Sequence, residues 1–326
     1  MNSCRYDSAV IRDFQQKRGS SPTEKHICDK EQTMQKYYLI GSPISHSLSP
    51  KMHNLAFRLT GIDATYGLCE ADETLLVKAV DRLVAEGASG FNVTMPDKTA
   101  MCDLCDELSD AARIGRSVNT VKVENGRLIG DTTDGRGFLM AADKAGFAVT
   151  GQNITLLGTG GAASAILIDS ALSGAKHIFV FYNRESSSVR VREIAKKLAS
   201  YCDTTMSFHA LADRDALREK IGMSSLLVNA TNVGMKRSAS DTSYPDASPI
   251  PDASYFYPGL NVFDAIYNPR ETCLLRTAAA CGCNTLNGLP MLLYQGAVSF
   301  KIWTGCDFPA DEIREALFPP SDNPGR

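Results

Sequence analysis

Asn153-Ile154-Thr155-Leu156-Leu157, followed by Gly158-Thr159-Gly160-Gly161-Ala162-Ala163, is the stretch that decides the fold. The first five residues read as a buried strand, the glycines as a tight turn, and the small residues up to Leu172 as a helix that packs closely. A glycine turn lets the backbone approach a pyrophosphate, and the helix N-terminus behind it offers amide donors and a positive dipole. Gly158, Gly160, Gly161 and Ala162 are therefore expected to bind a dinucleotide. A glycine-rich turn with no cofactor is the plainer alternative.

Downstream, strands are expected at 177–182, 204–208, 226–230 and 261–265. Helices are expected at 189–200, after Glu271 and at 289–303. This is a βαβ series of the doubly wound type. Upstream, strands are expected at 37–41, 65–69 and 90–94, and helices at 50–59, 74–86 and 100–108. Ser49 reads as the N-cap of the first of these helices, with Pro50 at N1. Segments 117–123 and 127–130 read as a hairpin turning at Asn125-Gly126.

The expected fold class is thus α/β: an N-terminal α/β substrate domain, a Rossmann-type dinucleotide domain, and a cleft between them. The expected boundaries are 36–135 for the substrate and catalytic domain, completed by C-terminal helices within 288–326, and 136–287 for the dinucleotide domain. Residues 1–35 are polar, of mixed charge, and read as a disordered or frayed extension; Met34, just before the first strand, is a second candidate start. Segment 238–258, rich in Ser, Asp and Pro, reads as a long mobile loop.

A chain of 326 residues has material for two cores. Its net charge of −3 provides no broad basic field for nucleic acid. The basic run Arg190, Arg192, Lys196 and Lys197 has helical spacing and reads as a solvated face. No apolar run is long enough for a membrane span, and the N-terminus lacks the apolar core of a signal peptide. A cytoplasmic enzyme with a small-molecule partner is expected, with no nucleic acid or membrane partner and a homodimer left open. The ten cysteines are irregularly spaced and read as reduced thiols. A zinc site from Cys102-x-x-Cys105 and Cys281-x-Cys283 is the minor alternative, and no metal is expected. His46 and His53 read as helix and turn packing.

Ahead of the glycine turn lies a polar cluster: Ser47, Leu48, Ser49, Asn92 to Lys98, Asn119, and Asp131 to Asp134. Hydroxyls, amides, a lysine and a carboxylate are the groups needed to hold a small polyhydroxylated acid and move a proton. The residues alone do not choose between Asp131 and Asp134. After the second dinucleotide strand comes Tyr182-Asn183-Arg184-Glu185-Ser186. Arg184 and Ser186 suit the 2′-phosphate of NADP, while Glu185 suits the ribose of NAD. Arg184 could equally stack on adenine or face solvent, so NADP or NAD is expected, with NADP favoured.

Ser45-His46-Ser47-Leu48-Ser49-Pro50-x-x-His53-Asn54 resembles the opening motif of the shikimate dehydrogenase family. Asn92-Val93-Thr94-Met95-Pro96-x-Lys98, Ser117-Val118-Asn119-Thr120 and Gly130-Asp131-Thr132-Thr133-Asp134-Gly135 resemble the motifs that follow. Asn229-Ala230-Thr231 and Asn287-Gly288-x-x-Met291-Leu292-x-x-Gln295-Gly296 resemble the later ones. The resemblance runs in order from Tyr37 to Phe318. Leu48, Val233-Gly234-Met235-Lys236, Tyr267-Asn268-Pro269 and Trp303-Thr304-Gly305 place it nearest the quinate/shikimate branch. Thr132 departs from the asparagine common in the family, keeping a hydroxyl but losing the amide.

This resemblance implies reversible NAD(P)-dependent hydride transfer between shikimate and 3-dehydroshikimate. It implies Lys98 and Asp134 as the catalytic pair and selects Asp134 over Asp131. Ser47 and Ser49 would bind the substrate carboxylate, while Thr94, Asn119 and Gln295 would bind ring hydroxyls. Asn92 would be a further contact or would point to the backbone, and Tyr267 would cover the substrate or belong to the core. Asn183, Arg184, Thr231 and Gly288 join the glycine turn as cofactor contacts. A quinate-preferring catabolic enzyme is the rival activity. A ligand sensor without turnover is the rival of another class.

Overall fold

Strand propensity and strand pairing divide the chain into two six-stranded sheets. The computed structural model describes residues 34–72, 74–236 and 245–319. It separates into two compact units: the chain up to Thr133 with the chain from Gly296 onward, and Asp134–Gln295. The expected extension falls almost wholly outside the described residues. Gln35, placed in it by the sequence reading, is the first residue of a strand.

The first unit contains β1 (Gln35–Gly41), α1 (Ser49–Thr60), β2 (Ala64–Glu70), α2 (Leu76–Ala85), β3 (Ala88–Val93), α3 (Lys98–Leu104), β4 (Glu107–Leu108), α4 (Asp110–Gly115), β5 (Thr120–Glu124) and β6 (Arg127–Asp131). Its sheet order is β2-β1-β3-β5-β6-β4. Strands β1, β2 and β3 pair in parallel, whereas β3–β5 and β5–β6 are antiparallel. The hairpin turn sits at Asn125 and Gly126, whose φ values are 52° and 77°. Two left-handed residues in succession are what a two-residue turn between twisted strands requires. Helix α2 buries Leu76, Ala79, Val80 and Leu83, a stripe at helical spacing, against Phe91, Val93, Met101 and Leu104. Full burial of one such leucine contributes about 1.5–3 kcal/mol.

The second unit contains α5 (Asp134–Lys144), β7 (Asn153–Leu157), α6 (Gly161–Leu172), β8 (His177–Tyr182), α7 (Glu185–Leu198), β9 (Thr205–Ala210), α8 (Arg214–Gly222), β10 (Leu226–Asn229), β11 (Asn261–Asp264), α9 (Cys273–Ala280) and β12 (Asn284–Leu286). Its sheet is parallel throughout, in the order β12-β11-β10-β7-β8-β9. Strand β10 is buried along its whole length, the apolar run expected of a central parallel strand. The order runs outward from β7 on one side and from β10 on the other. Their carboxyl ends form the switch point at which open α/β sheets bind ligands. Two C-terminal helices, α10 (Leu289–Thr304) and α11 (Ala310–Leu317), close the chain.

Several expectations are corrected. The helix expected over 100–108 stops at Leu104, because Cys105 is extended and Glu107–Leu108 pairs with β6. Ser49 is not the N-cap of α1: Leu48 holds that position without a side-chain cap, and the Ser49 N–H donates to Ser47 Oγ at 3.2 Å. Of the expected mobile loop, 238–244 lies outside the described residues. In the remainder, Ile250 and Tyr255 are buried in the core of the second unit. The basic face on α7 is only partly solvated. The Arg192 guanidinium lies 4.8 Å from the centre of the Phe208 ring and donates to Ser188 Oγ at 3.0 Å. His46 is exposed, while His53 packs as expected. No helix among the described residues is long and apolar enough to cross a membrane.

Candidate active site

In the first unit the candidate groups sit at strand ends and helix starts, where side chains project beyond the sheet. Thr94 follows β3, and its N–H donates to the Ile40 carbonyl at 2.9 Å, tying it to β1. Lys98 opens α3 and is partly buried; its own carbonyl accepts from the Val118 N–H at 2.9 Å. That bond pins the lysine's backbone beside the turn that leads to Asn119. Ser47 and Ser49 stand at the entry to α1, half-buried.

Asn119 is 3% exposed. Its Oδ1 accepts from the Thr133 N–H at 2.8 Å, and its Nδ2 donates to Thr133 Oγ1 at 3.0 Å. Asn92 points inward: its Nδ2 donates to the Asn119 backbone carbonyl at 3.0 Å, and its Oδ1 accepts from the Tyr66 hydroxyl at 2.8 Å. Of the two readings of Asn92, the backbone one holds. Burial pushes the Tyr66 hydroxyl well above the ordinary tyrosine range, so it stays a donor.

The two aspartates of the Asp-Thr-Thr-Asp segment differ in kind. Asp131 Oδ1 accepts from Ser109 Oγ at 2.6 Å and from the Thr132 N–H at 2.7 Å, which makes it a bracket for the turn. Asp134 is the first residue of α5, partly buried. A carboxylate at a helix N-terminus is stabilised by the dipole. Gln295 lies on α10 and donates from Nε2 to the Leu292 carbonyl at 3.0 Å. Tyr267 is 45% exposed, so its core reading is wrong.

The second unit provides the expected cofactor positions. Gly158 has φ 110°, and a Cβ there would stand 2.9 Å from the Ala230 carbonyl oxygen. Only glycine allows the chains after β7 and β10 to come this close. A Cβ on Gly160 or Gly161 would meet nothing of the protein within 4 Å. These positions and the exposed Ala162 leave open backbone at the start of α6, a cradle that fits a pyrophosphate. Thr231 is held across the switch point: its N–H and hydroxyl both donate to Asn229 Oδ1, at 3.0 and 2.7 Å. Asn229 Nδ2 in turn donates to the buried Asp264 carboxylate at 2.9 Å. Gly288 has a packing reason for being glycine, because any Cβ would collide with the Ala265 backbone.

Asn183 and Arg184 are exposed after β8, Arg184 being the extended N-cap residue of α7. Glu185 is turned back on its own surroundings. Bonds from the Tyr182 hydroxyl and Ser188, together with the Arg192 charge, hold its carboxyl below the usual range. The Arg192 ion pair measures 3.4 Å.

Sequence reasoning missed two polar groups, Tyr66 and Ser299. Ser299 is a lone serine on an apolar helix face, a signal that was legible.

The chain matches the model of the shikimate dehydrogenase substrate binding domain over residues 39–121 and that of the shikimate 5′-dehydrogenase C-terminal domain over residues 288–318. The shikimate dehydrogenase (NADP(+)) of Listeria monocytogenes serotype 4b is 40% identical over 280 residues, covering 86% of this chain and 94% of the relative. A quinate/shikimate dehydrogenase of Escherichia coli O139:H28 is 37% identical over 285 residues, covering 86% and 97%. The crystal structure of shikimate 5-dehydrogenase from Listeria monocytogenes in complex with shikimate and NAD superposes with a TM-score of 0.83 at 38% identity, covering 90% of this chain and 99% of that one. With the motifs in order on both units and likeness at this level over nearly the whole of its relatives, the chain belongs to the shikimate dehydrogenase family.

Proposed function

We propose that this protein is an NAD(P)-dependent oxidoreductase that interconverts shikimate and 3-dehydroshikimate. The observation that carries the reading is the open glycine cradle at the switch point of a fully parallel sheet, in a family member that keeps both Lys98 and Asp134. The bound dinucleotide would accept hydride from the substrate carbon, or return it. The chain's own residues do the rest. Ser47 and Ser49 donate hydroxyls to the substrate carboxylate, and uncharged donors there leave the lysine free for chemistry. Thr94, Asn119 and Gln295 hold ring hydroxyls, and Tyr267 covers the substrate. Lys98 takes the hydroxyl proton in oxidation and gives it back in reduction, with Asp134 holding and polarising the amine. Gly158, Gly160, Gly161 and Ala162 receive the pyrophosphate, and Thr231, Asn183 and Arg184 flank it.

NADP is the favoured cofactor, because Arg184 is exposed and Glu185 is drawn away by Arg192, Tyr182 and Ser188. A guanidinium in that place can grip a 2′-phosphate with two parallel bonds. Free thiols at the eight described cysteines support a cytoplasmic setting. The likeness to a quinate/shikimate dehydrogenase makes quinate the second substrate to try. The test is a spectrophotometric assay of shikimate and quinate, each with NAD and NADP. Turnover of shikimate with NADP is expected to be fastest. No turnover in any of the four mixtures would overturn the proposal in favour of a ligand sensor.

A further inference from the structure

The Asn119 amide has a determined direction. Its Oδ1 faces the Thr133 backbone N–H, which can only donate, so the nitrogen is the side chain's donating end. That nitrogen rests on Thr133 Oγ1. Thr120 Oγ1 also donates to Asn119 Oδ1, at 3.0 Å. Both threonine hydroxyls in turn lie against one further group, Ser299 Oγ, at 2.8 Å from Thr120 and 3.3 Å from Thr133. Asn92 Nδ2 donates to the same serine at 3.1 Å.

Ser299 is fully buried on α10, one helical turn after Gln295. A hydroxyl has one donor and two acceptor positions, and three polar neighbours from different elements lie against this one. A serine needed only to fill space would not require them, and an apolar side chain would spare the cost of burying a hydroxyl. One hydroxyl therefore joins α10 to β3, to β5 and to the turn that delivers Asp134.

We propose that Ser299 is a positioning residue for the substrate half of the site: through the Thr120 and Thr133 hydroxyls it holds the Asn119 amide with its nitrogen as the donor to a substrate hydroxyl. The inference rests on the shikimate activity proposed above. It implies that Asn119 donates to the substrate oxygen and does not accept from it.

The test uses the full chain and four variants: Ser299→Ala, Thr133→Val, Thr133→Ser and the double variant Ser299→Ala/Thr133→Val. KM for shikimate, kcat, KM for NADP and the melting temperature are measured for each. Ser299→Ala is expected to lower kcat/KM for shikimate about tenfold, the worth of roughly one buried hydrogen bond, with KM for NADP changed by less than about twofold. Thr133→Val, nearly isosteric, should do at least as much, and Thr133→Ser should restore most of the loss. The double variant should lose less than the product of the single losses, because both remove one network. A Ser299→Ala protein whose kinetics stay within about twofold of the parent, whatever its melting temperature, overturns the proposal. If Ser299→Ala does not fold, the Thr133 pair decides, and equal kinetics for valine and serine sink it. A parent inactive on shikimate would overturn the proposed function and this inference together; an active parent with unaffected variants breaks the inference alone.

Discussion

The buried polar cluster around Asn92 and Asn119 in the first unit and the one around Asp264 in the second are built by different chemistry. In the first unit the buried groups around Asn92 and Asn119 are neutral hydroxyls and amides: Tyr66, Thr120, Thr133 and Ser299. His53 is fully buried there too, stacked on Tyr66 with ring centres 4.6 Å apart and flanked by Trp303 at 5.2 Å. Neither of its ring nitrogens has a hydrogen-bond partner among the described residues. In the second unit a carboxylate, Asp264, is buried and anchors the turn carrying Thr231. It accepts from Asn229 at 2.9 Å, from Thr272 Oγ1 at 2.7 Å and from the Ile266 N–H at 3.1 Å. The difference teaches what each half must do. In the proposed reaction, neutral donors and acceptors would sort ring hydroxyls by direction without competing for the proton assigned to Lys98. A backbone turn proposed to receive a pyrophosphate would need only a rigid brace, and a buried anion with three donors supplies one.

Four measurements sharpen or break this contrast. The largest effect is expected at Lys98, which we propose belongs to the chemistry and not to the cofactor turn. Lys98→Ala should lower kcat by about 10²–10⁴ while the dissociation constant of NADP, read by titration, stays the same. A variant with unaltered kcat would remove Lys98 from the reaction.

The second concerns acid. Burial lowers the His53 imidazole from 6.5 to about 3. Above pH 6.5 the ring is neutral both folded and unfolded, and it costs nothing. Between pH 6.5 and about 3 the unfolded chain binds a proton that the folded one refuses, so stability falls as pH falls. The full loss is about 5 kcal/mol. Denaturant titrations from pH 7 to 4 should show the larger part of it, about 3 kcal/mol, and His53→Phe should flatten the slope. An equal slope in that variant would place the acid sensitivity elsewhere.

Asp264 should act with the opposite sign. Burial raises its carboxyl from 3.8 to about 6, against the lowering effect of its three hydrogen bonds. Below pH 3.8 it is protonated in both states. As pH rises from 3.8 to about 6 the unfolded chain loses the proton first, and stability falls. Above about pH 6 the cost is complete, on the order of 3 kcal/mol. Removing the carboxylate should also loosen the Thr231 turn. Asp264→Asn is therefore expected to weaken NADP binding while leaving KM for shikimate nearly unchanged. A shift in shikimate KM alone would contradict the division of labour.

The smallest effect is expected at the edge of the cofactor site. Glu185→Ala should improve NADP use by a few-fold at most, because solvent screens an exposed charge. Arg184→Ala should weaken NADP use and spare NAD. The reverse pattern would make Glu185 a ribose contact and the protein an NAD enzyme.

Local chemistry decided much of this fold in advance. Residues 177–182 were readable as a strand from five apolar and aromatic residues in a row after His177, and Asn125-Gly126 as the pair that accepts two left-handed conformations. Two short helices escaped notice, although their caps were in view. Ser109 accepts from the Ala112 N–H at the start of α4, and Asp213 accepts from the Ala216 N–H at the start of α8. Neither helix has enough turns for an apolar stripe to stand out. Helix α5 was hidden for another reason: it begins at Asp134, directly after the motif read for its chemistry.

The sequence by itself determined most of the element types, the glycine turn and the residue kinds at the site, because these depend on a few neighbouring side chains and on backbone freedom. Tertiary structure alone decided the rest. Strand order set β7 beside β10 and so brought Gly158 against Ala230. The tertiary structure also showed Asp131 as the bracket of its turn, through Ser109 and the Thr132 N–H. The direction of the Asn119 amide and the place of Ser299 in its network depend on side chains from β3, β5 and α10, as far as 207 residues apart in the chain. A hydrogen bond between such distant groups exists only once both are buried and aligned, and no local pattern encodes that.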